Sequence, residues 1–156
     1  MNVRLRFSTT RSFIPSALIR WRTQCAQSHV EFIRDDGFTL GARWSLRKED
    51  NGVRLRSPIS IVEQINVIEY TFPEIEKAWT EGLKLVGTPY NLRGIFGIVA
   101  AKDWTQTGHM DCSNFAFEAS RRAGRELLNP QEIAPWKITP RDLQLSEALT
   151  LLSHRL

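Results

Sequence analysis

Three side chains in this sequence are of types that can divide the work of acyl transfer: a thiol, an imidazole and a carboxylate. Cys112 lies in Gly108-His109-Met110-Asp111-Cys112-Ser113-Asn114-Phe115-Ala116-Phe117-Glu118-Ala119-Ser120-Arg121-Arg122-Ala123-Gly124. From Ser113 onward this stretch has helical spacing, with Phe115, Ala116, Ala119 and Ala123 on one face and Gly124 as a stop. Asp111 is a good N-cap type, so Cys112 falls on the first turn, where unpaired amides and the helix dipole favour an anion. A thiol there is expected to ionise more readily than a free one, and the thiolate is the nucleophile. His29 sits in the strand-like run Ser28–Arg34, and Glu31 shares its face because side chains repeat every two residues. A carboxylate beside an imidazole fixes its tautomer. Together Cys112, His29 and Glu31 are the parts of a thiol-dependent acyl-transfer site. Each also has a plainer reading: Cys112 as a small buried hydrophobe, His29 as a structural histidine, Glu31 as an exposed strand residue. The residues alone leave both readings open.

Two other assignments compete. His109 is nearer to Cys112 in sequence but belongs to a loop with no strand to hold it, and ranks below His29 as a base. His109, Asp111 and Cys112 form an incomplete metal-ligand set, with no fourth ligand at a recognised spacing. Neither a metal nor any other cofactor is expected.

The elements that must position these groups follow from patterning. Val3, Leu5 and Phe7 alternate with polar residues as a first strand. A short helix is expected over Ser12–Gln24, with Pro15 near its front. The Ser28–Arg34 strand turns at Asp35-Asp36-Gly37, a hairpin signal, into a return strand at Phe38–Ala42. Trp44–Pro58 is turn-rich around a short strand at Val53–Leu55. Ile61–Tyr70 reads as a strand, and Pro73 opens a helix with Ile75, Ala78, Trp79 and Leu83 on one face, ending near Gly87. Gly87–Gly108 reads as loop around an apolar Ile95–Ala100 segment. After the Cys112 helix, prolines punctuate a tail, and Thr139–Leu143 starts a last short helix.

A length of 156 residues suits one domain, 1–156, and 42% hydrophobic residues with five Trp and eight Phe exclude disorder. A net charge of +4 is a modest basic bias, and its scattered arginines match no nucleic-acid module, so no nucleic-acid partner is expected. Cys25 and Cys112 cannot form a disulfide framework, and two reduced thiols suit a cytoplasm. The sequence has no signal-peptide pattern and no run apolar enough to span a bilayer, so a cytoplasmic protein without stable membrane insertion is expected. Oligomeric state is not readable.

Gly87-Thr88-Pro89-Tyr90, a glycine-bearing loop, then Asp111-Cys112-Ser113 opening a helix resembles the Cys half of the NlpC family of papain-like cysteine peptidases. Ser28–Ala42 resembles that family's His half, a strand and hairpin beginning His-Val. Here it precedes the Cys, and the later His154 leaves no room for a following strand. The order is similar to the circularly permuted branch: YiiX-like proteins, including bacterial and phage-encoded ones, and the lecithin retinol acyltransferase group. The resemblance covers most of residues 28–143. It implies an α+β permuted papain-like (NlpC-type) fold, an antiparallel sheet or small barrel packed against the Cys-bearing helix. It also implies a cysteine-dependent hydrolase, peptidase or amidase, in which Cys112 attacks an amide or related acyl bond of a peptide, lipid or other acyl substrate and His29 moves the proton. Acyl transfer, thioester cleavage and a binding module with a vestigial site are the alternatives. Tyr90 would bind substrate, and the Cys112 amide would face the oxyanion. The chain departs from the pattern at Asn114, at Asn91-Leu92-Arg93-Gly94 after Tyr90, and at Gly41, which stands where the family has a third polar residue. Glu31 is the nearest substitute for that residue.

Overall fold

A computed structural model describes residues 2–10, 14–58 and 64–155. The expected starts of the first helix at Ser12-Phe13 and of the Ile61–Tyr70 strand at 61–63 lie outside the described residues. Among the described residues, six strands form one antiparallel sheet in the order β4-β3-β2-β1-β5-β6. They are β1 (Val3–Thr10), β2 (His29–Arg34), β3 (Thr39–Arg43), β4 (Gly52–Arg56), β5 (Gln64–Thr71) and β6 (Thr150–Arg155). The helices are α1 (Ile14–Thr23), α2 (Ile75–Leu83), α3 (Leu92–Ala100), α4 (Cys112–Arg122) and α5 (Pro140–Gln144). The architecture is thus mixed α+β with an open antiparallel sheet.

Alternation divides the sheet into two chemically different faces. Val3, Leu5 and Phe7 of β1 lie beside Phe32 and Val30 of β2, and Leu40 of β3 continues the row beyond Phe32. With Ala42 and Val53 these form the buried apolar face, covered by α2 and α4. The contact is specific: Phe32 and Phe115 of α4 meet edge to face, with ring centroids 5.9 Å apart. The opposite face carries Arg4, Arg6, Glu31, Gly41 and Arg43, so β2 has apolar residues toward α4 and a buried carboxylate behind it.

α4 begins where its chemistry requires. Asp111 is extended (φ −88°, ψ 178°) and accepts from the Asn114 amide at 2.9 Å. Asn114 also donates through its side chain to Asp111 at 2.6 Å, so this departure from the family pattern strengthens the cap. Ala123 closes the helix and Gly124 follows at φ +91°, a conformation that favours glycine.

Two elements differ from the sequence expectation. Residues 92–100 are a helix, not loop. Asn91 caps it by accepting from the Gly94 amide at 3.0 Å, and any side chain at Gly94 would collide with Asn91. Counting glycines as breakers hid an Asn cap whose glycine only makes room for it. The C-terminus adds β6, which pairs with β5 from Val67–Arg155 to Thr71–Thr150. Leu151 and Leu152 are both exposed, so no alternation marked this edge strand. In the second helix, Ile75, Ala78 and Trp79 are buried as expected, but Leu83 at its end is exposed.

Candidate active site

The hairpin β2–β3 holds His29 and Glu31. Both are buried, and Glu31 is 0% exposed. The plainer reading of Glu31 as an exposed strand residue is therefore excluded. The His29 Nε2 lies 3.4 Å from Glu31 Oε2, which leaves Nδ1 without a hydrogen bond among the described residues. Glu31 is held from two further strands: Arg43 of β3 donates to Oε2 at 2.9 Å, and Gln64 of β5 donates to Oε1 at 2.6 Å. Burial alone would raise the Glu31 carboxyl. The Arg43 charge and the His29 and Gln64 bonds outweigh it and hold the carboxyl well below its usual range. His29 is lowered from its ordinary value, because burial and the Arg43 and Arg56 charges outweigh the pull of Glu31. It is therefore a neutral imidazole at neutral pH, the form that can accept a proton.

Gly41 faces Glu31 directly. A Cβ built at Gly41 would lie 2.8 Å from Glu31 Cβ, so position 41 has no space for a side chain here.

Cys112 opens α4 and is 2% exposed. The Val30 amide, one residue beyond His29, reaches its sulfur and favours the thiolate, as do Ser113 groups. The start of β2, where Val30 meets Cys112, is paired with β1 through Phe7 and Ser8, whereas the β2–β3 pairs are Phe32 with Leu40 and Ile33 with Thr39. Among the described residues no hydrogen bond joins His29 to Cys112. The expectation of a readily ionised thiol is corrected: burial, followed by the negative charge of Asp111, pushes Cys112 up to about 12. Asp111 is itself buried and raised, against the stabilising bonds from Asn114 and Ser113. The helix-start amides are present, but a water-free site with an acid one residue away overrides them.

The Gly87–Tyr90 segment is fixed against both β4 and the approach to α4. Val53 and Gly87 amides bond to Thr88 and Val53 carbonyls at 2.8 and 3.0 Å. Met110 donates to Pro89 and Asn91 to Met110, forming a parallel bridge between Tyr90 and Met110 two residues before Cys112. Tyr90 is close enough to the thiol that, after burial, the Cys112 and Asp111 charges are what raise its hydroxyl well above the ordinary value. It stays a neutral donor.

The competing histidines are elsewhere. His109 is half-buried, with Nδ1 3.2 Å from the Thr107 carbonyl, and His154 lies on β6 opposite Ile68. Arg43 and Gln64 were not legible as site residues: each lies on a strand of its own, and only the sheet order brings them to Glu31. A cleft of about 550 Å³ between α1, α3 and α5, lined by Arg22, Ile98, Trp136, Arg141 and Leu145 among others, contains none of the candidate residues. No helix is long and apolar enough to cross a membrane, among the described residues.

No known protein family matches the sequence, and no curated protein matches it. Among solved structures, the chain is similar to the metalloprotein YiiX from Escherichia coli O157:H7 (DUF1105), at 13% identity and a TM-score of 0.67 over 97% of this chain and 96% of that one. At that identity the likeness is one of fold: a YiiX-like α+β fold along nearly the whole chain.

Proposed function

We propose that this chain is a single-domain, cysteine-dependent hydrolase of the permuted NlpC-type papain-like group, a peptidase or amidase acting on an amide or related acyl bond. The observation that carries this reading is the approach of the Val30 amide to the Cys112 sulfur at the start of α4: Val30 follows His29 in β2, and His29 is backed by a fully buried, clamped Glu31. A structural histidine needs no carboxylate held by two further strands.

In the proposed step, Cys112 Sγ bonds to the substrate carbonyl carbon as its proton passes to His29. The C–N or C–O bond then breaks and the leaving group takes that proton. Water, deprotonated by His29, attacks the thioester, and the C–S bond breaks to release the acid and restore the thiol. The Asp111 cap uses the Ser113 and Asn114 amides, leaving the Cys112 N–H for the oxyanion. Tyr90, a neutral donor beside the thiol, contacts the substrate carbonyl. With a thiol raised to about 12, ionisation belongs to the substrate-bound state, where proton transfer to His29 and bond formation go together. Acyl transfer or thioester cleavage would use the same covalent step with a different acceptor.

The neighbour is described as a metalloprotein. In this chain no three His, Cys, Asp or Glu side chains converge among the described residues, and Glu31 already accepts from Arg43 and Gln64. The donor set does not fit a metal centre, and no step is routed through one.

Burial of the thiol favours a second reading, a binding domain without turnover. Incubation with p-nitrophenyl esters and acyl thioesters, followed by peptide mass spectrometry, separates the two. The enzyme reading expects an acyl adduct on Cys112 that is lost in Cys112→Ala, retained in Cys25→Ala and slowed in His29→Ala. Absence of an adduct across these acyl donors would transfer the assignment to the binding domain.

A further inference from the structure

We propose that Arg43 and Gln64 are positioning residues that clamp Glu31 and so decide how much of its charge His29 feels. The role assigned to His29 in turnover rests on the hydrolase reading, whereas the clamp itself is read from geometry alone.

Both oxygens of Glu31 are engaged by different elements: Oε1 by Gln64 of β5 at 2.6 Å, Oε2 by Arg43 of β3 at 2.9 Å and by His29 at 3.4 Å. The shorter of the Oε2 contacts is the one to Arg43, so Arg43 takes most of the charge of that oxygen and the imidazole receives the remainder. Gln64 fixes the carboxylate plane without adding charge. Arg6 of β1 lies opposite Glu31 but is tied to Glu69 of β5 at 2.7 Å; it also donates to Gln64 Oε1 at 3.5 Å, so the arrangement draws on four strands. Arg56 of β4 also acts on His29, and among the described residues its guanidinium bonds go to backbone carbonyls. A carboxylate left alone beside His29 would hold a proton on the ring and remove the base from use at neutral pH. Burial works against this, and Arg43, at the same carboxylate oxygen, adds to it. The clamp therefore sets the pH window of the site as well as the orientation of the ring.

The test is a proton titration of the imidazoles by NMR in the full chain, which has three histidines, with His29 assigned through His29→Gln. Arg43→Gln should raise the His29 midpoint by about one pH unit or more, the effect of an opposite charge left uncompensated at close range. Arg43→Lys, which restores the charge, should return it most of the way. Gln64→Met should move the midpoint less than Arg43→Gln while lowering kcat rather than raising KM, and the acid limb of kcat/KM in Arg43→Gln should follow the NMR midpoint upward. An unmoved His29 midpoint in folded Arg43→Gln overturns the proposal. So does an Arg43→Lys value equal to that of Arg43→Gln. If Arg43→Gln fails to fold, Arg43→Met takes its place, and an unmoved His29 midpoint there counts against the clamp. A midpoint that moves as expected in a protein forming no acyl adduct on Cys112 leaves the clamp standing and removes the hydrolase reading.

Discussion

Replacing Glu31 by Gln keeps the shape of the side chain and deletes one buried charge, which makes it the most direct probe of the β2–β3 hairpin. In the wild type the carboxylate is fully buried, with Arg43, Gln64 and His29 as its partners. Removing one member of a buried pair leaves the other charge uncompensated and costs about 3–5 kcal/mol. Arg43 keeps 14% of its side-chain exposure, so water recovers part of that loss and the lower end, about 3 kcal/mol, is expected. For a chain of this size that is a fall in Tm of about 6–12 °C. The sign of the pH dependence follows from the carboxyl being held below its ordinary value of 4.5 in the folded state. Its contribution is fully present above that value and is lost as pH falls through the lower, folded one. The gap between wild type and Glu31→Gln should therefore be widest from pH 6 to 8 and narrow steadily below about pH 4.5. Urea titrations at pH 7 and pH 3.5 measure both. Equal stability at pH 7, or a gap that does not narrow between pH 7 and pH 3.5, would refute the view that Glu31 is an ionised, clamped carboxylate.

Three further outcomes test the neighbouring chemistry. Asp111→Asn keeps a good N-cap but removes the charge that, after burial, raises Cys112; iodoacetamide labelling of Cys112 at pH 8–9 should accelerate several-fold with Cys25 unchanged, and an unchanged Cys112 rate would show that the acid does not act on the thiol. Gly41→Ala forces a methyl against Glu31 and should cost about 1–3 kcal/mol in urea denaturation, with a neutral result showing that the strands part freely. Phe115→Ala removes the ring that meets Phe32 between α4 and the sheet and should cost about 3–5 kcal/mol, lowering the denaturation midpoint without changing the shape of the circular dichroism spectrum.

What the sequence made legible was what local pattern encodes. The alternation in Val3–Phe7 and the Asp-Asp-Gly turn predict β1 and the β2–β3 hairpin, and Asp111 before an apolar 3–4 repeat predicts α4 and the place of Cys112 on it. Thr139 likewise marks α5, where it forms a full capping box with Asp142. What was hidden depends on partners distant in sequence. β6 is a strand because β5 offers it an edge, and α3 is a helix because Asn91 satisfies its first turn. The ionisation of Cys112 turns on how completely the core closes over it, which no window of residues around Asp111-Cys112-Ser113 reports.

On the proposed reading, Gly41 is an apparent gap in a motif that leaves space for its replacement, Glu31. Read along the chain, a glycine at the position of the family's third polar residue looks like a lost function. In the sheet it lies across from Glu31, at a separation where two Cβ atoms do not fit together. A side chain at 41 and a Glu31 carboxylate folded toward His29 are therefore alternatives. With Gly41, the acid comes from the histidine's own strand, two residues along, and is held by Arg43 on one side and Gln64 on the other. Such an acid depends on the sheet more than one projecting from β3 would, because its anchors lie on β3 and β5, with β1 between β2 and β5. The orientation of His29 is thereby tied to the integrity of four strands. Perturbations at β5, far along the chain from both histidine and cysteine, should reach the imidazole through Gln64 alone.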